Sequence, residues 1–294
     1  MKTRKSCVNV ISREMQILGV SGVKGGVGKS TFAVLLAYEL SRTGSCVILC
    51  DCDVECPNDH LIMNQPLENR EPIFQRVPRV EIKKCKRCGI CSEVCRENAI
   101  FWVKGKPPTF ILDLCNGCGS CAFVCKENAI SWEKRVVGWS FLRRTDENFY
   151  LITGRSLEGL AETSIVVRET KKRAMKLAKD IKAEYLIIDT AAGAHCNVVN
   201  ALLGCDLVFV VAEPTPVGAH DLGVMMELLD KLNLPRKVIL NKANIGKREI
   251  ISKILKKFNA EIVMEIPYSE EILKAYCNSE LSSLKNLLDL SCLK

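Results

Sequence analysis

The chain runs to 294 residues, 48% of them apolar and 26% charged, with a formal net charge of +8. That length supports one large or two ordinary domains with ample core, and no apolar run approaches the roughly 20 residues that a membrane helix needs. A sequence pI of ≈ 8.7 falls short of the value above about 9 expected of a nucleic-acid-binding domain, so neither nucleic acid nor membrane is expected as a partner.

Residues 1–14 start basic but hold no apolar core of about 7–15 residues, so they lack the form of a secretory signal. They read as a loose tail ahead of a domain that begins near Met15. Without such a signal, the 17 cysteines argue against a disulfide scaffold. They point to thiolates kept reduced and used for metal, in a cytoplasmic protein.

An apolar run at residues 17–20 leads into VSGVKGGVGKST, and residues 32–40 continue as an apolar, helix-like segment. This strand–loop–helix context is what a phosphate-binding loop needs. Gly25, Gly26 and Gly28, with Val27 among them, let the backbone curl so that successive N–H groups face phosphate oxygens. Lys29 brings a positive charge to the β- and γ-phosphates and Ser30 a hydroxyl to Mg²⁺, with Thr31 completing the loop. The strict pattern asks for glycine where this chain has Val23. Lys24-Gly25-Gly26-Val27-Gly28-Lys29-Ser30 instead resembles the deviant loop of the MinD/ParA/Mrp ATPases and the nitrogenase iron protein. In that family the first glycine is dispensable and a second, signature lysine stands where Lys24 is. The resemblance implies ATP with Mg²⁺ as ligands, and a homodimer that sandwiches ATP so that Lys24 reaches across to the partner subunit's phosphates.

Residues 47–49 read as a short buried strand that delivers DCDVECPNDH at its end. By the same resemblance, Asp51 supports the Mg²⁺ shell and Asp53 orients the attacking water, a sensible task for a carboxylate beside the γ-phosphate. The family often shows Asp-Ala before Pro-Asn, whereas Glu55-Cys56 stands there in this chain. Residues 64–80, with Pro66, Pro72 and Pro78, read as a connector leaving the first domain.

A second signal follows. Cys85, Cys88, Cys91 and Cys95 give C-x₂-C-x₂-C-x₃-C, and Cys115, Cys118, Cys121 and Cys125 repeat it. The duplication extends to the flanks, CGICSEVCRENAI against CGSCAFVCKENAI. This is the spacing of bacterial two-cluster ferredoxins, in which the fourth cysteine of each run ligates the other cluster. Cys85, Cys88, Cys91 and Cys125 are therefore assigned to one [4Fe–4S] centre, and Cys95, Cys115, Cys118 and Cys121 to the other. Arg96 and Lys126 stand where a proline usually follows the fourth cysteine; that proline ligates nothing. Residues 81–130 hold eight Lys/Arg against five Asp/Glu. Lys83, Lys84, Lys86 and Arg87 crowd one end, which is expected to dock an acidic redox partner.

Beyond this segment, residues 149–152 and 164–167 read as short strands. Residues 169–182 read as a helix with Ala174, Leu177, Ala178 and Ile181 on one apolar stripe. Residues 185–188 form an apolar strand ending in Asp189, which has the form of a Walker B aspartate holding Mg²⁺ through water. Gly193 then offers its N–H to the γ-phosphate. His195 and Cys196 follow. The nitrogenase iron protein holds a cluster between subunits on switch-region cysteines, which makes Cys196 a candidate for the same. Residues 207–212 read as another strand, residues 222–232 as a helix, and residues 238–240 as a strand presenting Asn241-Lys242. In the family this asparagine reads the adenine edge, which an amide can do. Residues 262–266 precede Pro267, in a stretch that lines the base in relatives. Residues 250–258 and 272–290 read as terminal helices; too few lysines accompany Leu281, Leu284, Leu287, Leu288 and Leu290 for a membrane-seeking face. Cys7, Cys46, Cys50, Cys52, Cys56, Cys205, Cys277 and Cys292 show no ligand spacing and read mostly as small buried residues.

The expected fold is α/β, a doubly wound parallel P-loop sheet with an inserted ferredoxin-like α+β module. Its expected parts are residues 1–14, 15–79, 80–132 for the insert, and 133–294. ATP hydrolysis coupled to electron transfer through two [4Fe–4S] clusters is the expected function, with a redox partner protein. Cluster or metal delivery to a metalloprotein client is the alternative. A MinD/ParA-type positioning ATPase is a further one, and it requires a membrane or DNA surface.

Overall fold

The computed structural model describes residues 15–293, and the tail expected over residues 1–14 lies outside the described residues. In chain order the strands are β1 (Gln16–Ser21), β2 (Val47–Asp51), β3 (Glu71–Val80), β4 (Ile100–Phe101), β5 (Thr109–Phe110), β6 (Ile130–Asp146), β7 (Phe149–Ser156), β8 (Tyr185–Asp189), β9 (Leu207–Ala212), β10 (Arg236–Asn241) and β11 (Ile262–Ile266). The helices are α1 (Lys29–Arg42), α2 (Asp59–Ile62), α3 (Ile90–Glu93), α4 (Ser120–Phe123), α5 (Ser164–Ile181), α6 (Cys196–Leu202), α7 (Pro216–Leu232), α8 (Arg248–Lys257) and α9 (Glu270–Cys277).

One sheet of nine strands runs β11-β10-β9-β1-β8-β2-β7-β6-β3. From β11 to β7 every pairing is parallel; β6 and β3 close one edge antiparallel. The inner parallel strands β1, β2, β8 and β9 are buried on both faces, which is why they read as largely apolar runs. Alternate residues feed two apolar layers. Ile48, Leu186 and Ile188 pack with α5, α6, α7 and α8 on one face. Val47, Leu49 and Ile187 pack with α1 and the C-terminal leucines on the other. Phe32 of α1 meets Phe209 of β9 edge-on at 5.5 Å, which anchors the helix that follows the glycine-rich loop.

Four readings are corrected. Residues 64–80 are not simply a connector: β3 takes up the whole of their second half and pairs along its length with β6. Pro72 and Pro78 lack an N–H, and a strand at the sheet edge tolerates that loss. Residues 164–167 are the first turn of α5 rather than a strand. Val166, Val167, Thr170, Ala174 and Ala178 are all buried at helical spacing, so tertiary packing overrides the β-branched composition. Residues 272–290 are not one helix. Helix α9 stops at Cys277, and Ser279 and Asn286 take left-handed φ of 56°. Leu281, Leu284 and Leu288 are nonetheless buried, so the segment covers the core. Of the cysteines read as mostly small buried residues, Cys50, Cys52 and Cys205 are buried and Cys46 is half-buried, but Cys56 and Cys277 are exposed; the Cys7 and Cys292 side chains lie outside the described residues.

Between β3 and β6 the chain leaves the sheet and returns to it, with Glu81 N–H donating to the Ala129 carbonyl at 2.7 Å across the neck. The excursion contains the β4–β5 ribbon and the four-residue helices α3 and α4. The sequence repeat is also a conformational one. Gly89 and Gly119 open the two helices with φ of 84° and 92°. Cys95 and Cys125 Sγ each accept the backbone N–H four residues on, at 3.3 and 3.4 Å. No helix among the described residues is long and apolar enough to cross a membrane.

Candidate functional site

The loop between β1 and α1 borders a cavity of about 440 Å³, together with Ser30, Thr31, Asp53, Asn241 and Pro267. Gly28 takes φ of 99°, and a Cβ there would run into the Asn241 amide, so only glycine fits. Asn241 Nδ2 donates to the Val27 carbonyl at 2.8 Å, which ties the end of β10 to the loop. Lys29 Nζ lies 3.3 Å from the Lys24 carbonyl. Burial holds the Lys29 amine below its ordinary value, and Asp189 and Asp53 pull it back up. Lys24 points elsewhere, into an ion pair with the buried Glu213, which also takes Lys242 at 3.5 Å. Burial pushes Glu213 up, but Lys24 and Lys242 outweigh it and hold the carboxyl below the usual range.

Beneath the loop three carboxylates converge. One oxygen each from Asp51, Asp59 and Asp189 lies within 4.8 Å of the others, and all three residues are buried. Asp51 is held by three backbone donors: Asp53 N–H at 3.1 Å, Asn58 N–H at 3.0 Å and Asp59 N–H at 3.1 Å. Among the described residues, the carboxylate oxygens of Asp59 and Asp189 have no hydrogen-bond partner. Burial pushes Asp189 up to about 7. Burial and the neighbouring Asp51 push Asp59 well above the carboxylate range. Buried carboxylates left unpaired are costly unless a proton or a cation joins them, and this donor set suits Mg²⁺. Asp59→Asn is expected to stabilise the nucleotide-free chain by about 1–3 kcal/mol and to weaken Mg²⁺ binding by about tenfold or more. Thermal melts with and without Mg²⁺ read both effects.

The cysteines fall into two groups. Cys85, Cys88, Cys91 and Cys125 line a cavity of about 210 Å³. Cys95, Cys115, Cys118 and Cys121 line another of about 760 Å³. The fourth cysteine of each run thus lies with the first three of the other. Burial pushes the Cys121 thiol up to about 11 and raises Cys91 and Cys115 too. Cys118 is lowered by Ser120. Sets of four thiols in a cavity are a donor set for iron–sulfur clusters.

Residues 18–282 match the CobQ/CobB/MinD/ParA nucleotide binding domain. The chain belongs to that family. It is 37% identical over 268 residues to the uncharacterized protein MJ0579 of Methanocaldococcus jannaschii, with 91% of each chain covered. The cell division ATPase MinD of Pyrococcus furiosus shares the fold at a TM-score of 0.58 and 15% identity, over 95% of this chain and 94% of that one. A shorter stretch of 54 residues, 18% of this chain and 10% of the relative, is 48% identical to the chloroplastic Fe-S cluster assembly factor HCF101 of Arabidopsis thaliana.

Membership in the CobQ/CobB/MinD/ParA family makes this chain a P-loop ATPase, for which nucleotide and Mg²⁺ are the expected ligands. Several residues singled out from the sequence do not face the cavity. Asp51 lies below the loop, and Lys24 is turned to Glu213. Gly193 spends its N–H on the Gly22 carbonyl at 3.4 Å. Others border the cavity unannounced, among them Tyr268, Ile272, Leu273 and Tyr276. Asp59 and Glu213 were also missed. Asp59 sits eight residues past Asp51 on α2, and Glu213 directly follows β9; an acid just past a buried strand was the available signal for the latter.

Proposed function

We propose that this P-loop ATPase works as an ATP-sandwiched homodimer, in the cytoplasm, and couples nucleotide turnover to electron transfer through two [4Fe–4S] clusters. The observation that carries the reading is the sorting of eight ferredoxin-spaced cysteines into two cavities of four thiols each. Cys85, Cys88, Cys91 and Cys125 would hold one cluster, and Cys95, Cys115, Cys118 and Cys121 the other; when bound they supply one-electron storage.

The chain's own residues divide the phosphate work. Lys29 and the loop N–H groups bind the β- and γ-phosphates. Ser30, Asp51 and Asp189, joined by Asp59, would hold Mg²⁺, whose charge offsets that of the phosphates. Asp53 borders the same cavity, where it orients the attacking water. Lys24 exchanges its Glu213 partner for a phosphate of the second subunit when two chains close. Asn241 and the Pro267–Tyr268 segment after β11 hold the base.

The cavity of Cys85 offers a docking end for an acidic redox partner. Lys84 and Lys86 are paired with Glu81 and Glu127. Arg87 donates to the Gly105 carbonyl at 3.3 Å, which brings the Lys104–Lys106 turn alongside. Reversing the charges of Lys83, Arg87, Lys104 and Lys106 is expected to slow reduction by an acidic ferredoxin about tenfold at low salt, and little at high salt. Stopped-flow mixing measures it. Cluster delivery is the second reading, favoured by the short match to an Fe-S cluster assembly factor.

Anaerobic reconstitution tests the first reading. About eight irons and eight sulfides per chain, retained when an apo-ferredoxin acceptor is added, agree with resident clusters. Rapid transfer to the acceptor favours delivery, and a chain that takes up neither iron nor sulfide refutes both.

A further inference from the structure

Glu55 stands at the point where the sequence departs from the family's Asp-Ala pattern, and none of the roles above uses it. Its carboxylate joins the loop of Asp53, which borders the cavity of the glycine-rich loop, to the start of α6. Glu55 Oε1 accepts from Thr163 Oγ1 at 2.7 Å and from Asn197 Nδ2 at 3.1 Å. Asn197 also donates to Thr163 Oγ1 at 2.7 Å and accepts from Ser164 Oγ at 2.9 Å. Asp53 precedes Glu55 by two residues, and Gly193 precedes Asn197 by four. The loop that carries the water-orienting aspartate is thus bonded to the first turn of α6, which follows the segment that carries the γ-phosphate donor. Both are bonded to Thr163.

Thr163 ends a strap, residues 157–163, that begins where Ser156 N–H donates to the Val54 carbonyl at 2.8 Å. In its middle, Ala161 N–H donates to the Asp113 carbonyl at 3.1 Å. Asp113 belongs to the cysteine insert, where Arg135 of β6 holds its carboxylate at 2.5 Å. Two residues on is Cys115, whose carbonyl accepts from Gln75 Nε2 of β3 at 2.8 Å. The Cys115 side of the insert therefore leans on the strap and the sheet.

We infer that Glu55 is a positioning residue that joins the Asp53 loop to the head of α6 behind Gly193 and, through Thr163 and the strap, passes their movement to the cysteine insert at Asp113. The inference rests on the coupled function proposed above and names its route. A γ-phosphate that takes the Gly193 N–H must draw it from the Gly22 carbonyl. That displaces residues 193–197 and with them the Asn197 amide. Because carboxylate, amide and hydroxyl satisfy one another, the three shift together. Spatial continuity alone does not establish coupling; a difference between nucleotide states at the far end does.

Hydrogen exchange of the full-length chain, with and without a non-hydrolysable ATP analogue, tests the route and needs no iron. In the wild type the analogue is expected to slow exchange at residues 111–118 about fivefold. Glu55→Ala and Thr163→Val are expected to lose that response while the analogue stays bound and slows exchange at the loop of Lys29. Glu55→Gln keeps an acceptor oxygen and is expected to retain it. Should Glu55→Ala fail to fold, Thr163→Val decides. A wild-type response preserved in Thr163→Val overturns the route, as does a wild type with analogue bound and no change at residues 111–118. A chain that passes this test and binds no iron overturns the redox reading instead, so the two failures are told apart.

Discussion

Lys24→Ala is expected to lower kcat for ATP by about a thousandfold while leaving nucleotide binding by the single chain nearly intact, because a cation supplied to the phosphates from another chain acts on the transition state. The expectation follows from where the amine lies. In the single chain it is paired with the buried Glu213 rather than aimed at the phosphate cavity. Its removal therefore deprives the nucleotide of nothing until two chains meet. Lys29→Ala differs in kind. That amine is held at the loop itself, beside the Lys24 carbonyl and near Asp189 and Asp53. Its loss is expected to weaken binding as well as turnover, since it removes interaction with ground state and transition state alike. Single-turnover kinetics with separately measured nucleotide affinity distinguish the two variants. Equal loss of binding in both would contradict the assignment of Lys24 to the second subunit.

Cys125→Ala is expected to halve the iron, from about eight to about four per chain, and to do so at the cluster site farthest from it in sequence. Cys125 follows Cys121 by four residues but shares its cavity with Cys85, Cys88 and Cys91. Cys95→Ala is expected to spare that site and empty the one of Cys115, Cys118 and Cys121. The double variant Cys91→Ala, Cys125→Ala then loses no more iron than either alone. Cys91→Ala, Cys95→Ala loses nearly all. Cysteines of one run behaving as one site would contradict the crossed arrangement. Iron and sulfide analysis after anaerobic reconstitution measures each case.

What could be read directly from the residues was what is encoded locally. The glycine-rich loop carries its own turn chemistry, with Gly26 and Gly28 at positive φ. Strand β9 falls where the sequence places it, because a strand buried on both faces is an uninterrupted apolar run. Strand β3 was hidden because it is an edge strand of alternating burial that contains two prolines. The start of α5 was hidden because Ile165, Val166 and Val167 favour strand locally, and only the packing of Val166 and Val167 against the sheet makes them helical. Sites assembled over long sequence separations were the least legible. Lys24 and Glu213 are 189 residues apart, and Glu55 and Asn197 are 142 apart. Neither pair shares a motif, so no spacing announces it. Asp59 was missed for another reason: at the head of α2 it has the form of an ordinary first-turn acid. Only its burial with Asp51 and Asp189 makes it unusual.

The phosphate site and the cysteine insert are proposed to share one chain in order to act on each other. The steady-state ATPase rate of the reconstituted chain, measured anaerobically with clusters oxidised and then reduced by dithionite, tests this most directly. A rate that changes about fivefold or more between the two states, a typical size for coupling between sites, is the predicted result. The same rate in both states, in a chain shown to hold about eight irons, would contradict it.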